Sequence, residues 1–223
     1  MKTIVLVLSI ALVLSNINSF DKGTSYPLQY KEKLLTTNSG CKVDLFYTLF
    51  QNASIPADKY QVSDFEVTTK DGYILRLFRV NLSDEYKKKL PESNQKNFDR
   101  IVYLQHGMGD SSDGWFFNKE DHSTGFYLVE KGFDVWVGNN RGNKYCHKHT
   151  NQKISSSDFY NYSWVEMGKY DIPAMYKFIL DRTKSDAKII YIGHSQGTSQ
   201  MFTGLLEDDT GKYIQEKTEI FIA

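Results

Sequence analysis

The chain has 223 residues, with 27 basic and 27 acidic side chains that give a formal net charge of zero. A neutral chain without a basic block excludes nucleic acid as its main partner, and the length points to a single domain. Its 15 tyrosines, 14 phenylalanines and 3 tryptophans supply enough aromatic bulk for a sizeable core.

The N-terminus reads Met1-Lys2, then an apolar run over residues 4–14, then the more polar residues 15–19. A charged start, a short apolar stretch and a small residue near Ser19 predict a secretory signal over residues 1–19, removed to leave a mature domain over 20–223. The competing reading of the same run is a buried first strand or an uncleaved anchor. A transmembrane helix needs about 20 apolar residues, so none is expected here. Cys41 and Cys146, 105 positions apart, give no disulfide framework, and two free or buried thiols are expected. Asn-x-Ser/Thr triplets at Asn52, Asn81 and Asn161 become glycan candidates in a secreted chain.

Residues 43–50 are apolar enough for a short helix. Residues 60–69 and 73–82 alternate as strands around the turn Lys70-Asp71-Gly72, which predicts a β-hairpin. Residues 83–100, with Lys87-Lys88-Lys89 and Pro91, read as an exposed loop. Residues 101–105 form a continuous apolar strand that runs into the glycine-bearing segment 106–114. A helix over 124–131 stops at Gly132, and a buried strand over 133–137 ends at Gly138. Residues 164–182 carry apolar side chains at helical spacing, with Pro173 expected to bend or divide the helix. A strand over 188–192, a helix through about Leu206 and a last strand over 219–222 complete the pattern. Strands alternating with helices argue an α/β fold with a mainly parallel sheet, preceded by the hairpin.

The strand over 188–192 ends abruptly in Gly193-His194-Ser195-Gln196-Gly197. This is a G-x-S-x-G nucleophile elbow, with a strand before it and a helix after it as the motif requires. A serine hydroxyl is a poor nucleophile until a tight turn projects it toward a base, and the flanking glycines keep other side chains clear. Such a hydrolase also needs two preorganised N–H donors for the oxyanion of its tetrahedral intermediate. One comes from the residue after the nucleophile, here Gln196. The other comes from the loop after an earlier strand, here Leu104-Gln105-His106-Gly107-Met108-Gly109, and is assigned to the backbone N–H of Met108. His106 is then a loop-ordering group, and His194 diverges from Ser195 on so sharp a turn. His122, His147 and His149 read as solvated surface histidines. The pair at 147 and 149 lacks partners at ligand spacing except Cys146, so no metal and no cofactor is expected.

Five segments together resemble the acid lipase family, the lysosomal acid and gastric lipases of the α/β-hydrolase superfamily. They are residues 65–75 around Asp71-Gly72-Tyr73, residues 104–107, residues 132–143 with Asn139-Asn140-Arg141-Gly142, residues 166–174 with Lys169-Tyr170-Asp171, and residues 191–198. They run in the family's order and cover most of the chain from about residue 43. The resemblance implies an α/β-hydrolase fold and hydrolysis of neutral-lipid esters, triacylglycerols or sterol esters, at a lipid–water interface in a secreted or lysosomal setting. It carries Ser195 over as nucleophile and Met108 and Gln196 as oxyanion donors. Met108 stands where the family usually has leucine, a change that a backbone donor tolerates.

One departure concerns the triad, whose order in this superfamily is serine, acid, histidine. The 28 residues after Ser195 hold Glu207, Asp208, Asp209, Glu216 and Glu219 but no histidine. The expectation is therefore the N-terminal part of a lipase that stops after the helix following the elbow, lacks acid and base, and is inactive alone. A non-catalytic secreted lipid-binding protein derived from a lipase is the rival reading. A peptidase of the same fold is disfavoured by the segments around Asp71 and Arg141.

Overall fold

The computed structural model describes the backbone of residues 4–6 and all of residues 49–50, 55–183 and 186–223. Most of the expected signal, the helix over 43–48, Cys41 and Asn52 lie outside the described residues; Leu49 and Phe50 form a turn. The strands are β1 (Ile4–Leu6), β2 (Tyr60–Thr68), β3 (Tyr73–Leu82), β4 (Ile101–Gln105), β5 (Asp134–Gly138), β6 (Lys148–His149), β7 (Ile189–Gly193) and β8 (Thr218–Ile222). They make one sheet in the order β1-β8-β7-β4-β5-β3-β2, with the two-residue β6 added beside β3. The pairs from β1 to β5 are parallel; β3 runs antiparallel to both β5 and β2.

The sequence explains this arrangement. β4 and β5 are buried at every position, and β7 nearly so, as parallel strands covered on both faces must be. The hairpin alternates because one of its faces meets water, and Gly72 supplies the turn with a φ of 98° that disfavours a side chain. Tyr103, Tyr176 and Tyr191 cluster in the core with ring centroids 5.5–6.5 Å apart. Helix α1 (Thr124–Glu130) packs on β3 and β5, and α2 (Ile172–Thr183) packs on β2. Helix α3 (Gln196–Leu206) follows β7, and α4 (Asp208–Lys217) leads into β8.

The structure corrects or adds to the sequence reading at four places. The stretch 83–100 carries two short helices, Asp84–Lys88 and Glu92–Gln95, because Ser83 and Pro91 start turns and buried Asn97 anchors the segment to the Lys131 carbonyl at 2.8 Å. The helix that follows the elbow does not lead directly into the expected last strand: α4 lies between it and β8. At Pro173 the helical stretch changes geometry: a π-turn, Met167–Asp171, lies just before it and relieves the clash a proline ring makes with the carbonyl four residues earlier. Finally, Ile4–Leu6 of the full chain pairs with β8 in parallel, Ile4 opposite Ile220.

Candidate active site

The sheet brings the ends of β4 and β7 together, Gln105 opposite Gly193, and the two expected catalytic loops leave from these adjacent ends. Ser195 stands at the tip between β7 and α3 with φ 51° and ψ −113°, the one non-glycine residue at positive φ among the described residues. Such backbone costs about 1–3 kcal/mol and persists only when its surroundings over-determine it. Here they do. The His194 N–H donates to the Gln105 carbonyl at 3.0 Å, the Gly197 N–H to the His194 carbonyl at 2.8 Å, and the buried Tyr191 hydroxyl to the Gly197 carbonyl at 2.6 Å. A Cβ on Gly197 would lie 2.5 Å from the Gln105 carbonyl oxygen, so only glycine lets α3 start this close to β4.

Ser195 is exposed, and its hydroxyl makes no hydrogen bond among the described residues. Gly107 faces it: a Cβ there would stand 3.1 Å from Ser195 Cβ and 3.1 Å from His194 Nδ1. The Met108 and Gln196 N–H groups find no acceptor among the described residues, Gln196 because it opens α3. His106 is buried beneath this loop. Its Nε2 accepts from the Asn140 N–H at 3.1 Å, which assigns the proton to Nδ1, and Nδ1 donates to the Gly107 carbonyl at 2.7 Å. Burial lowers the His106 pKa, chiefly by penalising the charged ring. Both nitrogens are thus committed to fixing the loop. His194 is exposed beside the serine, with its side chain turned toward Gly107.

A groove of about 760 Å³ opens here, lined by Met108, Phe117, Asn140, Tyr162, Met167 and Gln196 among others. Met108 and Phe117 are largely exposed at its rim. On its wall the buried Asn140 side chain takes its orientation from Gln105, which donates to Asn140 Oδ1 at 3.1 Å and itself accepts from the Tyr103 hydroxyl at 2.5 Å.

Behind the groove lies a feature that sequence reading missed. Arg141 is buried, and its guanidinium bonds Asp71 in the hairpin turn through two contacts, 2.7 and 3.0 Å, and Asp171 in the π-turn through three, 2.5–3.2 Å. The Tyr73 ring sits 3.9 Å from its central carbon. Burial pushes the Asp171 carboxyl up to about 6 against the pull of Arg141. Asp71 is less enclosed; burial opposes its charge, but donors from Arg141 and Thr69 outweigh that and hold its pKa below the usual range. The three residues sit inside quoted segments, but their partners lie 70 and 30 positions away, so no local spacing announces the cluster.

The other expected sites separate. His149 packs edge-on against Tyr73 at 4.9 Å and bonds the Asp71 carbonyl, while Cys146 is buried and its sulfur accepts from the Arg76 N–H at 3.0 Å. No group of three metal-ligand side chains occurs among the described residues. Nor is any helix there long and apolar enough to cross a membrane. Asn81 lies at the end of β3, and Asn161 is exposed in an irregular stretch.

Comparison with known proteins points the same way. Residues 52–119 match a family described as "Partial alpha/beta-hydrolase lipase region", and residues 100–210 one described as "alpha/beta hydrolase fold". Lipase lipl-1 of Caenorhabditis elegans is 44% identical over 152 residues, 68% of this chain and 36% of that protein. Human lipase member J is 39% identical over 166 residues, 74% of this chain and 42% of the relative. Rat gastric triacylglycerol lipase is 37% identical over 166 residues, 74% of this chain and 39% of the relative. The chain thus spans about two-fifths of the length of the curated relatives it matches.

Proposed function

Because the chain belongs to the acid lipase family of α/β-hydrolases, we propose that it supplies the nucleophile half of a serine lipase acting on neutral-lipid esters. The observation that carries this reading is the strained Ser195, held at the tip of the elbow and facing Gly107, with two unengaged N–H groups in the flanking loops. Ser195 Oγ attacks the ester carbonyl carbon, and the carbonyl oxygen takes the negative charge. The N–H groups of Met108 and Gln196 donate to that oxyanion, which stabilises the transition state more than the ground state. Collapse expels the alcohol and leaves an acyl group on Ser195 for water to remove.

Each step needs a base that also returns a proton. His106 is spent on the loop, and no histidine follows Ser195 in this chain. On this proposal, residues 1–223 tested alone leave the Ser195 hydroxyl without an activating base. What remains is the oxyanion hole and binding, which in serine proteases stripped of a triad member still give roughly 10³–10⁴-fold over water. Triacylglycerols or sterol esters are the proposed substrates, met at a lipid–water interface during lipid breakdown. The proposed setting is secreted or lysosomal, reached through residues 1–19.

The experiment compares hydrolysis of a p-nitrophenyl ester by this chain, by a chimera in which the C-terminal part of rat gastric lipase follows residue 223, and by that chimera carrying Ser195→Ala. Gain of several orders of magnitude in the chimera, abolished by Ser195→Ala, supports the reading. Equal rates for the short chain and the chimera would mean a base within residues 1–223, with His106 the first to substitute. A folded chimera that binds lipid but never turns over would favour a non-catalytic lipid-binding role.

A further inference from the structure

Two of the three Asn-x-Ser/Thr triplets lie among the described residues, and the fold treats them in opposite ways. Asn81 is half-buried in β3, opposite Gln61 of β2. Its Nδ2 donates to Asp134 Oδ1 at 3.2 Å, and the same carboxylate receives both a 2.8 Å and a 2.9 Å bond from Arg79. A sugar on that nitrogen would crowd the cleft lined by Arg79, Lys87, Phe98 and Asp134.

Asn161 differs at every point. It lies in a non-helical stretch between the helical turns Ser156–Phe159 and Trp164–Glu166, its side chain is exposed, and its Nδ2 makes no hydrogen bond among the described residues. On either side stand two rings in the open, Tyr160 at 54% and Trp164 at 47% exposure. Tyr160 leans over Gly142, which lines the catalytic groove. Tyr160 packs on one side against Phe159, ring centroids 4.9 Å apart, and leaves its other side open; the C–H face of a sugar is one that an aromatic face accepts.

We propose that Asn161 is an N-glycosylation site and Asn81 is not, and that the first sugar on Asn161 stacks on the flanking Tyr160 and Trp164 rings. In the transfer, the Asn161 amide nitrogen attacks the anomeric carbon of a lipid-pyrophosphate-linked oligosaccharide. The N–C bond forms, the C–O bond to pyrophosphate breaks, the lipid pyrophosphate leaves with the electron pair, and the nitrogen loses one proton to a base of the transferase. The inference rests on the secretory setting proposed above.

The full chain is expressed in a glycosylating eukaryotic host behind the host's own cleavable leader, so entry does not depend on residues 1–19. Both the retained and the exported pools are treated with peptide N-glycosidase in heavy-oxygen water and mapped by mass spectrometry. The expected result is heavy aspartate at 161 and unmodified asparagine at 81. An unlabelled Asn161 in both pools, or Asn81 labelled as fully, overturns the assignment. The glycosylated protein should melt above Asn161→Gln, and that difference should vanish in the Tyr160→Ser/Trp164→Ser background; an undiminished difference overturns the stacking. A parallel expression relying on the chain's own N-terminus tests the secretory setting separately.

Discussion

Arg141→Met tests the cluster that ties the hairpin turn and the π-turn to the loop behind the groove. The substitution keeps most of the side-chain volume and removes the charge that faces Asp71 and Asp171. Side-chain exposure is 1% for Arg141 and 3% for Asp171, so Asp171 is left as an uncompensated buried carboxylate. Breaking a buried pair from one side costs about 3–5 kcal/mol. Asp71, with a quarter of its side chain exposed, adds less because water screens it. For a domain of this size the loss corresponds to a fall of roughly 6–20 °C in Tm.

The cost should depend on pH in a definite direction. The folded Asp171 carboxyl, at about 6, lies above its unfolded value near 3.8. The folded state therefore binds more protons between those values, and this group's contribution to stability grows as pH falls through about 6. Without Arg141 the folded value rises further, so the deficit of Arg141→Met should be largest at pH 7 and shrink at pH 5. Urea denaturation at both pH values, on wild type, Arg141→Met, Asp171→Asn and the double variant, reads this out. The double variant should recover at least about 1 kcal/mol at pH 7, since the orphaned charge has gone. An Arg141→Met variant within 1 kcal/mol of wild type, or a deficit unchanged by pH or by Asp171→Asn, would refute the reasoning.

Gly197→Ala forces a Cβ to 2.5 Å from the Gln105 carbonyl oxygen, so it should destabilise by about 1–3 kcal/mol, offset by up to about 1 kcal/mol of helix propensity; a variant that melts at or above wild type would show that the elbow has slack. Gly72→Ala meets both a φ of 98° and a contact at 2.6 Å with Thr150 Oγ1, and should lower the urea midpoint, with no change counting against the hairpin geometry. His106 must stay neutral when folded because its Nε2 accepts a hydrogen bond, and its folded pKa lies below the unfolded value of 6.5. The unfolded state then binds the proton first, so this residue's contribution falls as pH drops below about 6.5. The difference in stability between wild type and His106→Gln should narrow over that range, and a constant difference would mean that the ring titrates freely.

Much of this fold is legible in the residues because buried parallel strands are written as unbroken apolar runs. Residues 101–105 and 189–192 need no partner to be recognised, and Lys70-Asp71-Gly72 marks its own turn. The elbow around Ser195 was legible for the same reason: a strand, a turn of glycines and a helix follow in sequence. Helix α4 was not. Among its ten residues only Gly211 and Ile214 are buried, so it carries almost no apolar stripe. Strand β6 consists of Lys148 and His149, held by pairing to β3 and not by any propensity of their own. The pairing of Ile4–Leu6 with β8 joins chain ends more than 210 positions apart, and nothing local predicts it. The Arg141 cluster was hidden in the same way. Its charges read as surface until the fold brings them together.

The central claim is that Ser195 is the nucleophile, and covalent trapping tests it most directly. A lipid-like phosphonate ester is incubated with the rat gastric lipase chimera, and the adduct is located by peptide mass spectrometry. The account predicts one adduct, on Ser195 in the elbow peptide, with the unextended chain labelled far more slowly at the same residue. An adduct on any other residue, or a chimera that hydrolyses esters while Ser195 stays unmodified, would contradict it.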